Sequence, residues 1–320
     1  MSLVRSIAAF LALAVAGAAA AQGYPVKQIR LIVPFAPGQG ADVAARAVAL
    51  KLSENLKQPI VADNRPGAGG NIGADIAAKA PADGYTLLVG SNGTHAANAA
   101  LYASLPFDPL KDFVAISYIG SVAMVLVAAP SFAASSVREV VEMAKAKPAS
   151  INVAIPSSTS RVVLELFRQT SGAELFAVNY KASATGLTDL MGGQVQLSID
   201  TLIATAPHIA SGKLKALGVS SKTRPAALRS VPTFAESGLA GFDLAAWNVW
   251  FAPHGTPDAI VTRLNTELAK VLADPDQQQR LRQLGYEPGA GEDARRVGEF
   301  VRSEAGKWGE LIRRAGIKAE

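Results

Sequence analysis

The sequence predicts an α/β protein built from two lobes. Short apolar runs of strand length alternate with segments of helix length along the chain, and two such sets follow one another. This alternation favours parallel sheets with helices on both faces. The chain has 320 residues, 49% of them hydrophobic and 18% charged, so it carries enough apolar material for packed cores.

The first set starts with residues 29–34 (IRLIVP), a continuous apolar run typical of a buried parallel strand. Asp42 then begins a helix whose apolar face includes Val43, Ala47 and Leu50. A glycine-rich segment at residues 66–73 separates the second strand from an alanine-rich helix that ends near Lys79. The remaining elements predicted for this set are strands at 60–62, 85–90, 115–119 and 124–128, and a short helix at 96–102.

The second set repeats the alternation. Four hydroxyl residues at 157–160 stand in a cap position before a helix, where side-chain oxygens accept from free backbone N–H groups. The strands predicted here are at 151–155, 176–178, 195–199 and 214–219, and the helices are at 137–145, 161–170 and 185–191. An extended stretch at 244–252 and two helices at about 257–273 and 293–315 close the chain.

The N-terminus, residues 1–21, has the layout of a secretory signal peptide. Arg5 precedes an apolar stretch at residues 7–15, and small residues at 18–21 offer a cleavage site. A transmembrane anchor is the alternative, but the apolar run is short for a span of about 20 residues. We therefore expect cleavage near Ala21 and an exported, soluble product.

Composition excludes several classes of function. The chain has no cysteine and three histidines far apart in sequence, which argues against a disulfide scaffold, a zinc-thiolate site and an iron–sulfur cluster. The formal net charge is +5 and the charges of both signs are interspersed, unlike the one-sided basic stripe of a nucleic-acid-binding protein. We expect neither a metal nor a cofactor.

Enzyme motifs are mostly absent. The P-loop pattern does not occur, and Ile72 breaks the dinucleotide fingerprint in the glycine-rich segment. The nucleophile elbow of serine hydrolases is also missing. A triad formed by Ser91, His95 and Asp200 stays open as an alternative from sequence.

Ligands of open α/β sheets bind beyond the carboxyl ends of the strands. That rule selects loops at residues 35–42, 91–95, 157–161, 180–185 and 200–205. Helix N-termini that follow such loops attract anions through unsatisfied N–H groups and the helix dipole. The candidate ligand-binding residues are Phe35, Gly38, Gln39, Gly40, Asp42, Ser91, Thr94, His95, Ser157, Ser158, Thr159, Ser160, Arg161, Tyr180, Lys181 and Asp200.

Structural roles compete with ligand binding at several of these positions. Asp42 is equally suited to capping its own helix, and residues 91–95 to capping the next one. Arg161 suits a bidentate contact with a carboxylate or a surface position. Asp200 suits the binding of water or an amine, or the capping of the following turn. Trp247 and Trp250 fit core packing near a suspected hinge.

Several motifs carry a family resemblance along the whole mature chain. They are YPVKQIRLIVPF at 24–35, DNRPGAGGNIG at 63–73, PADGYTL at 81–87, Tyr180-Lys181, GGQV at 192–195, VPT at 231–233 and Trp308. In these blocks the chain resembles the Bug-type substrate-binding proteins of tripartite tricarboxylate transporters.

The resemblance implies a periplasmic protein with the two-lobed Venus-flytrap fold (type II), in which doubly wound sheets are joined by a hinge. We expect residues 22–123 and 246–320 in lobe 1 and residues 124–245 in lobe 2. It further implies a protein without enzymatic activity that captures a small organic anion, often a carboxylate, and delivers it to membrane permease subunits. We expect a monomer, which is the default for a hinged binding protein. A receptor that presents its ligand to a membrane sensor would have the same sequence features, and an exported hydrolase is the remaining alternative.

The sequence departs from the family pattern in the pocket loops. Gln39 stands between Gly38 and Gly40 where adjacent glycines are usual, and hydroxyl residues replace a glycine-containing loop at 157–160. Ala182 follows Tyr180-Lys181 in place of glycine. For this reason the identity of the ligand does not carry over from the resemblance.

Overall fold

The computed structural model describes residues 23–317, so the predicted signal peptide lies outside the described residues. The strands are β1 (Ile29–Val33), β2 (Ile60–Asn64), β3 (Thr86–Ser91), β4 (Phe113–Ala128), β5 (Asn152–Ile155), β6 (Phe176–Asn179), β7 (Leu197–Thr201), β8 (Lys215–Val219), β9 (Ala245–Pro253) and β10 (Tyr286–Pro288). The helices are α1 (Gly40–Leu56), α2 (Asn71–Ala78), α3 (Asn98–Leu101), α4 (Val137–Ala146), α5 (Ser158–Ser171), α6 (Ser183–Met191), α7 (Leu202–Ala210), α8 (Asp258–Ala273), α9 (Pro275–Gln283) and α10 (Ala294–Ala315).

The first lobe is built on the strand order β2-β1-β3-β9-β4. β1 is parallel to both β2 and β3, whereas β9 runs antiparallel to β3 and to β4. β10 adds a further antiparallel pairing to β4. The sheet is therefore mixed and not wholly parallel as the alternation predicted, because β9 enters it from the second lobe and not through a helical crossover.

The second lobe continues from the end of β4. β7 and β8 pair with β4 antiparallel, and β5 lies parallel to both β6 and β7. β4 pairs with β9 up to Ala123 and with β7 from Met124 onward. One strand thus takes part in both sheets, and the cleft forms where it changes partners.

β4 is one strand of 16 residues, where the sequence predicted two shorter strands. Its pairing with β9 shifts register twice, between Ala115 and Ser117 and between Tyr118 and Gly120. Gly120 has a φ of 142°, and a Cβ there would collide with the backbone of Glu287. These irregularities interrupt the apolar pattern without ending the strand.

Two helices were missed in the sequence. α7 occupies most of the segment predicted as the loop at 200–205, and it contains Pro207, a residue that usually ends helices. α9 begins with Asp274 as its N-cap, accepting from the N–H groups of Asp276 and Gln277, with Pro275 at the first position. Its sequence is almost entirely polar, so it shows no apolar stripe to detect.

The last helix, α10, joins β9 to the first lobe through buried tryptophans. Trp247 and Trp250 on β9 are both buried, as the core-packing interpretation predicted. The indole N–H groups of Trp247 and Trp308 donate to the same Oε2 of Glu304, at 2.9 and 2.8 Å. This shared acceptor pairs with two buried donors and holds β9 against α10.

Candidate functional site

A cleft with a volume of about 600 Å³ lies between the two lobes. The first lobe supplies the loop after β1, the glycine-rich segment after β2 and the turn after β3. The second lobe supplies the residues that follow β5 and β6. Each of these segments comes from the carboxyl end of a strand, where ligands of open α/β sheets bind.

Four helices, of 8 to 17 residues, begin at this cleft. The residues at the N-caps of α1, α2, α5 and α6 all line it, and they are Gln39, Gly70, Ser157 and Ala182. Only Ser157 of these uses its own side chain as a cap, accepting from the N–H of Ser160. Backbone N–H groups of the first helical turns have no acceptor within their own helices. The cleft therefore combines unsatisfied donors with the positive ends of several helix dipoles, which suits an anion.

The glycine-rich segment forms one wall of the cleft in a conformation that favours glycine. Gly67, Ala68, Gly69 and Gly70 all have positive φ, of 125°, 47°, 63° and 96°. A Cβ at position 69 would collide with Oγ of Ser158 on the opposite lobe. Glycine here allows the two walls to approach each other closely.

The charged residues along the cleft are Arg161 and Lys181, and among the described residues that line it none is acidic. Nε of Arg161 lies 3.1 Å from Oε1 of Glu165, so its charge is partly offset. Lys181 is exposed. The lining as a whole favours a negatively charged ligand.

Hydrogen bonds join the lobes across the cleft. Nδ2 of Asn92, in the turn after β3, donates to Oγ1 of Thr159 on α5 at 2.9 Å. Nε2 of Gln39 lies 3.5 Å from the carbonyl of Pro156. Gly40 faces the second lobe as well, since a Cβ there would come within 2.6 Å of Oγ1 of Thr201. The lobes are thus in contact, as in a closed cleft.

A small inner chamber of about 40 Å³ adjoins the deep end of the cleft. It shares five lining residues with the cleft, namely Phe35, Gln39, Ser91, Ser157 and Thr159. Asp200 and Ser183 line it from the second lobe. Oδ2 of Asp200 and Oγ of Ser183 are buried atoms with no hydrogen-bond partner.

The electrostatics of Asp200 follow from this burial. Desolvation raises the pKa of its carboxyl to about 6, and the nearby hydroxyl of Ser183 and the Thr201 N–H moderate the rise. Thr201 N–H donates to Oδ1 at 2.7 Å. Ser183 is near enough to affect the pKa, but its hydroxyl does not reach hydrogen-bonding geometry.

Comparison with known proteins identifies the family. Residues 44–317 match the model of the TctC family, described as the tripartite tricarboxylate transporter family receptor. Protein BugT of Bordetella pertussis is 36% identical over 320 residues, covering 99% of this chain and 98% of that protein. The chain belongs to the TctC receptor family.

Solved structures share the fold at similar identity. An R. palustris protein determined with adipate superposes with a TM-score of 0.89 at 38% identity, covering 92% of this chain and 99% of that one. MatC from Rhodopseudomonas palustris with bound malate gives a TM-score of 0.85 at 31% identity, covering 90% of this chain and 100% of that one. The periplasmic binding protein BugD gives 0.87 at 33% identity, covering 93% and 100%. The two-lobed α/β fold predicted from the sequence is confirmed, and the protein is a solute-binding receptor of the TctC family.

The structure brings most of the candidate residues of this TctC receptor to the cleft or the chamber. Those lining the main cleft are Phe35, Gln39, Ser91, Ser157, Ser158, Thr159, Arg161, Tyr180 and Lys181. Gly40 and Asp200 line the inner chamber. The candidates that line neither are Gly38, Asp42, Thr94, His95 and Ser160.

Asp42 and His95 have structural partners instead of a position on the cleft wall. The Asp42 carboxylate accepts from Gly38 N–H, from Arg46 at 2.9 Å and from Asn64 at 2.8 Å, and this fixes the loop after β1. His95 stacks on Phe251 with ring centroids 3.9 Å apart. Burial lowers the pKa of His95 to about 3, so the ring is neutral.

The hydrolase triad considered in the sequence is not assembled. Oγ of Ser91 accepts from the N–H groups of Gly93 and Thr94, and Nδ1 of His95 pairs with Oγ1 of Thr94 at 2.8 Å. Within residues 23–317, Ser91, His95 and Asp200 share no hydrogen bond, and Asp200 lies on the other lobe.

Sequence reasoning missed the glycine-rich wall at residues 66–70, and it also missed Tyr102 and Asn179. The glycines were interpreted as packing turns, although they follow the carboxyl end of β2 and the same strand-end rule applies there. In the inner chamber, Asn92, Ser183 and Thr201 lie in loops that the strand-end rule selected but were not named as candidates, and Asn248 was missed. Asn248 lies within β9 and reaches the chamber only after both lobes fold, so the sequence holds no local signal for it.

Residues 23–317 include neither a bilayer-spanning helix nor a metal-binding cluster of side chains. No helix in this range has both the length and the apolar character that a bilayer crossing needs. No cluster of at least three histidine, aspartate or glutamate side chains is arranged to hold a metal ion in the same range.

Proposed function

We propose that this TctC-family receptor captures a small dicarboxylate in its cleft, in the periplasm, and delivers it to the membrane subunits of a tripartite transporter. The observation that carries the proposal is the convergence of four helix N-termini on a cleft without acidic lining residues. Such N-termini bind carboxylates through backbone N–H groups without a metal.

Relatives support the class of ligand. The structures with adipate and with malate both contain a dicarboxylate in a protein of the same fold. A volume of about 600 Å³ accommodates a molecule of this size together with ordered water. The positive charges of Arg161 and Lys181, which both line the cleft, support binding of the second carboxylate.

Capture works through closure of the lobes. A ligand that contacts both walls is bound fully only when the lobes are closed, and it therefore shifts the population toward that form. The Asn92–Thr159 hydrogen bond, at 2.9 Å, adds a direct contribution to the closed form. The strands that run between the lobes, β4 and β9, are the proposed hinge.

Native mass spectrometry of the mature protein after mild purification tests the proposal first, since a tightly held ligand is retained. Isothermal titration calorimetry then measures affinity for mono-, di- and tricarboxylates, aromatic acids and acidic amino acids. We expect a dicarboxylate to bind most tightly, with micromolar or lower Kd. Absence of binding below millimolar across the panel would contradict the proposal, as would turnover of an ester or amide substrate.

A further inference from the structure

The inner chamber contains polar groups that the rest of the fold leaves unused. Asp200 and Ser183 are each 3% exposed. Neither Oδ2 of Asp200 nor Oγ of Ser183 has a hydrogen-bond partner. Burial removes a polar atom from water, so an atom left without a partner destabilises the fold. Two such atoms on residues that line one chamber call for an explanation, and a group bound there supplies one.

Each of the other polar side chains that line the chamber has at least one hydrogen-bond partner. Asn248 donates to the carbonyl of Gly90 and accepts from the hydroxyl of Tyr286, at 3.1 and 3.0 Å. Asn92 donates to Thr159 and accepts from the N–H of Trp247. Among the described residues that line the chamber, Asp200 and Ser183 alone have a buried side-chain atom without a hydrogen-bond partner.

The size and position of the chamber fit a substituent and not a whole ligand. About 40 Å³ holds a water or two, or a group of that size. The lining shared with the cleft places the chamber beside a ligand bound there. Among the described residues that line it, Asp200 alone is titratable, and the cations Arg161 and Lys181 lie on the cleft and not in the chamber.

We propose that the chamber is a specificity subsite for a hydrogen-bond-donating group, a hydroxyl or an ammonium, carried by the dicarboxylate ligand. The inference rests on the proposed function. Oδ2 of Asp200 accepts from the donor, and Oγ of Ser183 completes the contact. A ligand without this group leaves both atoms unpaired or hydrated, and sites built to bind such a group discriminate strongly against analogues that lack it.

Calorimetry with matched ligands tests the subsite. The ligands are succinate, L-malate and L-aspartate, and for a longer chain adipate with its 2-hydroxy and 2-amino derivatives. We expect at least one derivative to bind tenfold or more tightly than its unsubstituted parent. In Ser183→Ala and in Asp200→Asn this preference falls below threefold. Thr188→Ala, which deletes an exposed hydroxyl on the same helix α6 outside both the cleft and the chamber, is the matched control and leaves the preference unchanged.

The two derivatives separate the two donors. If the protein prefers the amino derivative and this preference strengthens between pH 5 and pH 8, the donor is an ammonium that pairs with ionised Asp200. If it prefers the hydroxy derivative, the donor is a hydroxyl. Equal affinity for parent and derivatives in the unmodified protein overturns the subsite but leaves the proposed function standing. If no dicarboxylate binds, the proposed function fails, and the subsite fails with it.

Discussion

Asp200 is buried at the end of β7 and couples the stability of the fold to pH. Its pKa is about 6 in the folded protein, against an ordinary value of 3.8. A difference of this size changes the free energy of unfolding by at most about 3 kcal/mol. The native state therefore binds this proton more tightly than the unfolded chain. The contribution is complete below about pH 4 and is lost as the pH rises through 6.

Urea unfolding at a series of pH values measures this effect. Between pH 4 and pH 7 we expect the unmodified protein to lose up to about 3 kcal/mol of unfolding free energy relative to Asp200→Asn. Asp63→Asn is the control with the opposite sign. Burial tends to raise the pKa of Asp63, but hydrogen bonds from Arg30 and Arg65 hold it below its ordinary value, so its contribution disappears as the pH falls. A parallel pH profile for Asp200→Asn and the unmodified protein would refute the assignment.

Gly69 determines how closely the two cleft walls approach. Gly69 has a φ of 63°, and a Cβ at this position would collide with Oγ of Ser158. Gly69→Ala should therefore lower ligand affinity about tenfold or more. Gly193→Ala is a matched control because Gly193 has a φ of 79° and open space around it. We expect both variants to lose about 1 kcal/mol of stability, but only Gly69→Ala to weaken binding in calorimetry. Equal affinities in the two variants would show that the approach of the walls is unimportant.

At the scale of elements, the turn after β3 and the start of α5 are joined by one hydrogen bond between lobes. Thr159→Val keeps the shape of the side chain but removes Oγ1, which accepts from Nδ2 of Asn92. Asn92 is fully buried. A hydrogen bond of this kind contributes about 1 kcal/mol net, with a larger cost when the partner stays buried. We therefore expect affinity to fall about fivefold.

The matching control for that variant is Thr159→Ser, which retains the hydroxyl. Titration calorimetry should show near-normal affinity for the serine variant and weaker binding for the valine variant. A valine variant that binds as tightly as the unmodified protein would mean that the Asn92 contact does not favour closure.

Elements with an apolar period were predictable from sequence, and those without one were not. β1, α1 and β3 carry buried residues in continuous or helical patterns, and their predicted positions agree with the structure to within a residue or two. α9 has a clear N-cap but little apolar surface, so its capping signal was not supported by periodicity. The bulges in β4 broke a single strand into two apparent ones.

The site was predictable to the extent that strand ends determine it. Loops after β1, β3, β5 and β6 were selected by the strand-end rule, and residues of each line the cleft. The inner chamber was not predictable, because Asp200 and Asn248 are far apart in the chain and meet only through the pairing of β4 with both β7 and β9. Such a chamber is a property of packing between lobes.

For the whole molecule, the proposed hinge runs through β4 and β9. The lobe boundaries expected from sequence, at residues 123–124 and 245–246, remain a proposal, which is supported by the change of β4 partners between Ala123 and Met124. Two strands provide continuous backbone between the lobes, so closure requires only small changes in twist and not a broken sheet.

Fluorescence energy transfer between the outer strands would detect this closure. Because the chain has no cysteine, dyes attach only at introduced sites, and Val61 on β2 and Phe176 on β6 are exposed positions on opposite lobes. We expect a saturating dicarboxylate to raise transfer efficiency for Val61→Cys with Phe176→Cys. The control pair, Val61→Cys with Leu110→Cys, lies within the first lobe and should not respond. If the transfer efficiency of the cross-lobe pair stays constant while calorimetry shows binding, the cleft is rigid and the affinity comes from a preformed site. That result would contradict the population-shift mechanism.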